Sequence, residues 1–311
     1  MRAVAVTTPG GPEVLDVVER LDVNAVGGRV RIRVHAATVN PTDLALRAGQ
    51  RPRAAGSDGP RIPGMEAAGV IDEIGPDVTG LTVGDEVMAI VVPSRPEGGA
   101  YVEQLVVDAD QVARAPRGVT LVEAATLPMN GLTAVRALDM LDLPQGSTLA
   151  VSGAAGALGG YVLQLAAHRG LRVIAIASER DAALLRELGP HELVPRGDDA
   201  AERVRELVPE GVDGAVDTAL LHERIVPAVR DGGGFAVVRG WPEEAGRGIT
   251  VHRVMVAEYA HRADLLAELA TLVEEGVLTL RVARTFTAED APEAHRLMEA
   301  GGVRGRLVLT F

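Results

Sequence analysis

The 311 residues are 47% hydrophobic and 24% charged, with 36 glycines, no cysteine and a formal net charge of −12. That balance suits a globular chain of about two domains; no apolar run reaches the roughly 18 residues of a membrane helix, and the opening MRAVAVTTPG lacks a signal-peptide pattern, so a cytoplasmic setting is expected. Without cysteine there are no disulfides, thiolate nucleophiles or Cys-type zinc sites, and scattered acids repel nucleic acid and anionic membrane.

The first hundred residues read as short strands between turn clusters. Val30–Ala36, Ala68–Ile74 and Glu86–Val92 alternate in strand fashion, and Gly10-Gly11-Pro12, Gly27-Gly28, Gly75-Pro76 and Gly98-Gly99 punctuate them. The segment Arg51–Arg61 reads as an exposed loop. From about Thr120 the texture changes. Strand-like Leu149–Ser152, Val173–Ala177, Glu192–Val194, Gly214–Asp217 and Phe235–Val238 alternate with helix-like Gly159–Arg169, Asp181–Leu188, Ala200–Val208 and Glu223–Val229. Such alternation predicts βαβ units and a parallel sheet covered on both faces. Two more helical patterns follow, Asp264–Glu274 and Ala291–Glu299, and the chain closes on a strand, Gly305–Phe311.

Between the first of those strands and its helix stands Gly153-Ala154-Ala155-Gly156-Ala157-Leu158-Gly159. A dinucleotide loop needs one glycine for the turn, one for close approach of backbone to a pyrophosphate, and one for helix–strand packing. Gly153, Gly156 and Gly159 fit those jobs, with Ala155, Ala157 and Leu158 as the remaining backbone of the cradle; a tight turn without ligand is the bland alternative. At the tip of the next strand, where an acid holds ribose hydroxyls in sites for the non-phosphorylated cofactor, the chain reads Ser178-Glu179-Arg180. Ser178, Arg180 and Arg196 past the third strand suit a 2′-phosphate, which favours NADPH. Either Arg180 or, with a register shift of one, Glu179 faces the adenosine ribose.

The ordered series Val39-Asn40-Pro41-Thr42-Asp43, Pro63-Gly64-Met65-Glu66-Ala67-Ala68-Gly69, Val83-Gly84-Asp85-Glu86-Val87, Gly98-Gly99-Ala100-Tyr101, Leu127–Ala134, the glycine loop, Val216-Asp217-Thr218 and Gly305–Leu309 resembles the medium-chain dehydrogenase/reductase superfamily, and within it the zinc-free, zeta-crystallin-like quinone oxidoreductase group. The resemblance runs nearly end to end. It implies an α/β architecture: a GroES-like β domain over 1–118 and 275–311, and a Rossmann doubly wound parallel sheet domain over 119–274, with substrate in the cleft between them and a homodimer formed through Rossmann sheet edges near Phe235–Arg253. It also accounts for a glycine loop lying mid-chain.

Departures from the pattern carry information too. Zinc-dependent alcohol dehydrogenases place Cys where this chain has Asn40 and His where it has Met65, and carry a four-cysteine loop where this chain runs directly from Ala89 to Gly99. No metal is therefore expected. Some quinone reductases carry a tyrosine where Ala45 stands, and Pro195 replaces the tyrosine often found before Arg196.

Without metal the natural reaction is hydride transfer to a conjugated acceptor, a small-molecule quinone or α,β-unsaturated carbonyl, for which the protein supplies positioning, hydrogen-bond donors and exclusion of water. By family position Asn40 and Thr133 face the nicotinamide end. Asn40 serves either cofactor or oxyanion, or is a turn residue bonding its own backbone; Thr133 serves the nicotinamide, or bonds back onto its own helix. Gly240 is expected to face the cofactor, and Trp241, the one tryptophan, lines the substrate cleft or an ordinary surface. Tyr101, His35, His168 and His295 read as structural, and Asp43 as a helix cap. The alternatives are an enoyl-thioester reductase of secondary metabolism, or an NADPH-binding protein with little catalysis.

Overall fold

Alternation in Val30-Arg31-Ile32-Arg33-Val34 sends valine and isoleucine inward and leaves the arginines outside, the period of two that a pleated strand imposes. This is the pattern around which the first half of the chain folds. A computed structural model describes residues 1–52, 59–240 and 244–311. They divide into two units: Met1–Met129 with Ala260–Glu274 and Leu280–Phe311, and Asn130–Tyr259 with Glu275–Thr279.

The first unit opens with β1 (Arg2–Val6) and β2 (Leu15–Glu19), an antiparallel pair. Then come β3 (Arg29–Thr38), α1 (Pro41–Arg47), β4 (Glu66–Ile74), β5 (Glu86–Ile90), β6 (Gln104–Asp108), β7 (Val112–Arg114) and the short α2 (Leu121–Ala124). Helix α1 starts where it does because Asn40 stays extended, Pro41 fixes the first helical φ, and the Asp43 carboxylate accepts the Asn40 amide at 2.9 Å. The expected cap role of Asp43 is thus present. Of the expected loop Arg51–Arg61, residues 51, 52, 59 and 60 are exposed, and 53–58 lie outside the described residues.

Helix α3 (Pro128–Leu141) leads into the second unit: β8 (Thr148–Ser152), α4 (Ala157–His168), β9 (Arg172–Ala177), α5 (Ala182–Leu188), β10 (Glu192–Pro195), α6 (Ala200–Leu207), β11 (Val212–Asp217), β12 (Val229–Val237) and β13 (Thr250–Arg253). The six strands are parallel in the order β10-β9-β8-β11-β12-β13. Successive strands run outward from β8 to β10 and then restart at β11 on its other side, which is the doubly wound topology with a switch point between β8 and β11. The helix expected at Glu223–Val229 does not form. Two 3-10 turns, His222–Arg224 and Val226–Ala228, occupy it, and Val229 already belongs to β12. Pro227 lacks the amide that a continuing helix needs.

The chain then returns through α7 (Ala263–Glu274), β14 (Val282–Thr287), α8 (Ala291–Ala300) and β15 (Arg306–Thr310). In the larger sheet of the first unit the order is β14-β15-β3-β4-β5-β7, with β6 also paired to β3. The division of the chain differs from the expected 118/119 and 274/275 boundaries. Helix α2 packs on β3, β4 and β5, and α7 buries Leu266, Leu269 and Leu272 while packing on β7, so both stay with the first unit. No helix among the described residues is long and apolar enough to cross a membrane.

Candidate functional site

Strand β8 is buried at all five positions, and beyond it the chain must reverse sharply into α4. Gly153 makes the turn at φ +63°, a left-handed conformation; a Cβ there would lie 2.7 Å from the Thr218 hydroxyl. Gly159 sits against the turn it follows. A Cβ on it would press inside van der Waals distance of the Gly153 carbonyl and come within 2.8 Å of Ala154 Cα. Gly156 differs from both: as the residue preceding α4 it would set a Cβ near only the Gly153 carbonyl, at 3.1 Å. Its outer side is open. The first intrahelical bond runs from the Gly160 amide to the Gly156 carbonyl, so the amides of Ala157, Leu158 and Gly159 precede it at the positive end of the helix. Gly156, Ala157 and Leu158 are half-buried, whereas Ala155 is buried.

At the carboxyl end of β9, Ser178 opens a 3-10 turn, Glu179–Asp181. Ser178 is half-buried and Glu179 and Arg180 are exposed, carrying opposite charges on one turn. The Arg196 amide, just past β10, donates to the Ala177 carbonyl at 2.7 Å and so fixes Arg196 beside that turn. Neither the Arg180 nor the Arg196 side chain makes a hydrogen bond or ion pair with the described residues. Gly240, beyond β12, is exposed with open space on its Cβ side. Trp241 lies outside the described residues. Thr133 is buried on α3.

Sequence reasoning passes over the carboxylate that shapes the far wall of the switch point. Asp217, fully buried at the end of β11, accepts the Ser152 hydroxyl and the amides of Ala219, Leu221 and His222 at 3.2, 3.1 and 2.8 Å. The loop closes so tightly over it that Leu220 and His222 take φ of +58° and +49°. Thr218 adds a bond to the Ser152 carbonyl at 2.6 Å. The visible signals are the acid that closes β11 and the Val216-Asp217-Thr218 motif of the resemblance, to which the sequence reading gives no role.

In the first unit a second group of polar side chains is sealed from water. Glu66 Oε1 accepts from Thr38, from Asn40 Nδ2 at 3.2 Å and from Arg306, while Oε2 accepts the Met129 amide at 2.7 Å. Arg306 also donates to Asn40 Oδ1 at 2.7 Å. The Asn40 amide, expected to face a cofactor, is therefore fully buried and bonded to an ion pair on both its atoms. Beside it Asp43 accepts the Gly64 amide at 2.7 Å and the Tyr101 hydroxyl at 3.3 Å. Burial pushes its carboxyl up to about 7 against the pull of those backbone donors. Tyr101 in turn meets His295 Nε2, and Arg47 meets His295 Nδ1, each at 3.3 Å. Arginine only donates, so Nδ1 accepts and Nε2 carries the hydrogen. Burial first, and Arg47 second, push this imidazole down to about 3. The structural readings of Tyr101 and His295 agree with this geometry.

Two family models match the chain, described as alcohol dehydrogenase GroES-like domain over residues 27–117 and zinc-binding dehydrogenase over 188–309. The 2-haloacrylate reductase of a Burkholderia species is 30% identical, with 99% of this chain aligned to 98% of that one. The chain belongs to the medium-chain dehydrogenase/reductase family. The Pikromycin polyketide synthase component PikAII of Streptomyces venezuelae is 32% identical over 91% of this chain, which spans only 8% of that protein's length. Among solved structures, mycobacterial Rv1454c complexed with NADPH superposes over the full length of both chains with a TM-score of 0.89 at 29% identity.

The positions compared above with the zinc-dependent dehydrogenases carry other side chains here. There is no cysteine, Asn40 and Glu66 are engaged by Arg306, and Met65 is a buried thioether. Among the described residues the group of convergent His and carboxylate atoms is Asp108, Asp110 and His261, within 4.8 Å of one another. It lies at the surface, with Asp108 paired to Arg29 and Asp110 to His261.

Proposed function

We propose that the chain is a zinc-free, NADPH-dependent reductase that delivers hydride to a quinone or an α,β-unsaturated carbonyl. The observation that carries this reading is the carboxyl edge of the parallel sheet. There Gly156 leaves the backbone open next to the switch point, and the Arg180 and Arg196 side chains stand without a partner among the described residues at the next two strand ends. Every one of the 31 Lys-plus-Arg positions is arginine, so the cationic side chains that could meet a 2′-phosphate are guanidinium and imidazole.

On this reading the backbone from Gly153 through Ala155, Gly156, Ala157, Leu158 and Gly159 would hold the pyrophosphate, the helix end adding a favourable dipole. Ser178, Arg180 and Arg196 would hold the 2′-phosphate, and Gly240 would leave room for the remainder. When bound, NADPH supplies a hydride to a carbon made electrophilic by conjugation. Thr133 is assigned to the nicotinamide end. Asn40 is assigned a positioning role: held by Arg306 and Glu66, it fixes the start of α1. Two copies are inferred to associate along β13, the end strand of the parallel sheet, whose outer edge is unpaired among the described residues. Light scattering at the mass of one chain would exclude that association.

The deciding experiment compares NADPH with NADH affinity in the wild type and in Arg180→Ala. A charge-assisted bond contributes roughly 1.5–3 kcal/mol, so NADPH affinity falls about tenfold to a hundredfold and NADH affinity stays put. An unchanged preference would remove the phosphate assignment. A second reading, reduction of an enoyl thioester, is favoured by the match of 91% of this chain to a polyketide synthase component. Turnover of acyl thioesters with free enones and quinones left untouched would favour it.

A further inference from the structure

Ser152 and Asp217 end the two strands that flank the switch point, where they are register partners of β8 and β11. Both are buried, at 1% and 0% exposure. The Asp217 carboxylate is filled from its own chain. Oδ1 accepts the Ser152 hydroxyl and the Ala219 and Leu221 amides, and Oδ2 accepts the His222 amide, with the His222 Nδ1 3.8 Å away. A group so enclosed meets no ligand. The loop it gathers does reach the edge of the sheet: Ala219 is exposed, and Thr218, Leu220 and Leu221 are half-buried.

Four donors converging on two oxygens draw that loop tight. Leu220 and His222 take left-handed φ of +58° and +49°, which residues with side chains keep only where their surroundings hold them. The same loop seats the glycine turn. Thr218 Oγ1 donates to the Ser152 carbonyl at 2.6 Å, and the Ala219 amide is shared between the Ser152 hydroxyl at 3.1 Å and Asp217 at 3.2 Å. A Cβ on Gly153 would lie 2.7 Å from that Thr218 oxygen and 3.1 Å from the Ala219 methyl. Turn and loop are one bonded unit with Asp217 at its centre.

We propose that Asp217 is a positioning residue for the dinucleotide. Through Ser152 and the loop 218–222 it sets the Gly153 turn so that the amides after it meet a pyrophosphate, and it does so without touching the ligand. The inference rests on the cofactor site of the reductase reading and adds a residue to it. The sign of the effect separates positioning from electrostatics. A buried carboxylate behind an anion site repels the anion, so charge alone predicts tighter binding once Asp217 is neutralised. Positioning predicts weaker binding. Asparagine at 217 must turn its NH2 group toward the His222 amide or toward the Ser152 side, and a donor on that side loses its acceptor.

The test is calorimetry of the full chain with NADPH and with NADH, for wild type, Asp217→Asn, Ser152→Ala and the double variant, with urea midpoints in parallel. Asp217→Asn is expected to bind both dinucleotides about tenfold more weakly at an unchanged ratio, because the pyrophosphate is common to both. Ser152→Ala keeps the buried charge and cuts the tie, so it tests the proposal even where Asp217→Asn does not fold. It should lose about threefold or more, and in the double variant add little to the effect of Asp217→Asn, since both act through one contact. A purely structural role would lower the midpoint and leave both affinities in place. Unchanged or tighter binding in Asp217→Asn would overturn the proposal, and so would wild-type affinity in Ser152→Ala. A wild type that bound neither dinucleotide would bring down the reductase reading and this inference with it. A wild type preferring NADH would remove only the 2′-phosphate assignment and leave the role of Asp217 to the same measurement.

Discussion

Replacing Asp43 by asparagine isolates the buried carboxyl's contribution to the pH dependence of folding. In the unfolded chain this group titrates at 3.8, and in the folded chain burial holds it at about 7. Between those values the folded chain keeps a proton that the unfolded chain releases. Stability therefore falls as pH rises through the window, by about 1.4 kcal/mol per pH unit, or roughly 3 kcal/mol between pH 5 and 7. His295 acts with the opposite sign. Its folded value of about 3 lies below 6.5, so its contribution is complete above 6.5 and lost on acidification toward 3. In the wild type the two slopes oppose one another between about pH 4 and 6.5. Asp43→Asn removes one of them. The variant also sets an amide N–H against the Gly64 donor, at a cost of about 1–3 kcal/mol. Urea midpoints from pH 5 to 8.5, followed by circular dichroism, should show the variant weaker at pH 5 and the deficit shrinking by about 3 kcal/mol toward neutrality. A deficit constant across that range would refute the argument, because a fixed difference carries no protons.

Gly159 and Gly156, two glycines of the loop, should separate by assay. Gly159→Ala meets backbone on two sides and is expected to cost about 1–3 kcal/mol in unfolding experiments, whereas Gly156→Ala leaves the midpoint nearly unchanged and weakens NADPH binding, as calorimetry would show. Glu66→Gln leaves the Arg306 charge buried with a weaker acceptor and should destabilise by about 3–5 kcal/mol; a shift under 1 kcal/mol in the urea midpoint would mean the pair is hydrated in solution. NADPH affinity of the wild type should fall between low and physiological salt, and lose part of that salt dependence in Arg196→Ala, since exposed charges are screened within about 10 Å at 0.1 M.

Five of the six strands of the parallel sheet are legible because each holds a short apolar run, and because Gly153 and Gly159 have a steric need that no other residue meets; β13, Thr250-Val251-His252-Arg253, holds no such run and goes unread. Glu223–Val229 is misread for a related reason: charges and aliphatics at helical spacing outweigh the single proline that breaks the pattern. The buried cluster is not legible at all. Glu66 and Arg306 are 240 residues apart, and Arg47 and Glu299 are 252 apart, so nothing in either neighbourhood announces the partner. Local pattern reports the face a residue takes. It does not report which distant charge shares that face, and Asn40, read from its turn, is drawn into an ion pair that only the closed sheet creates.

That distinction bears on which arginines the proposed function assigns to a ligand. An unpartnered guanidinium is not by itself a binding group: Arg33 on β3 and Arg186 on α5 are without a bond or ion pair among the described residues as well. Arg306, at the other extreme, is committed to Glu66, Asn40 and Thr38, and is unavailable to any ligand that does not first break those bonds. What marks Arg180 and Arg196 is where the backbone sets them. Strand β9 ends at Ala177, the Arg196 amide is tied to that residue's carbonyl, and the chain turns at Ser178, so both side chains leave from the carboxyl edge of neighbouring parallel strands. It is at that edge, outside a switch point, that an open α/β sheet receives an anionic ligand. The charge is general to the surface; the address is what the fold supplies.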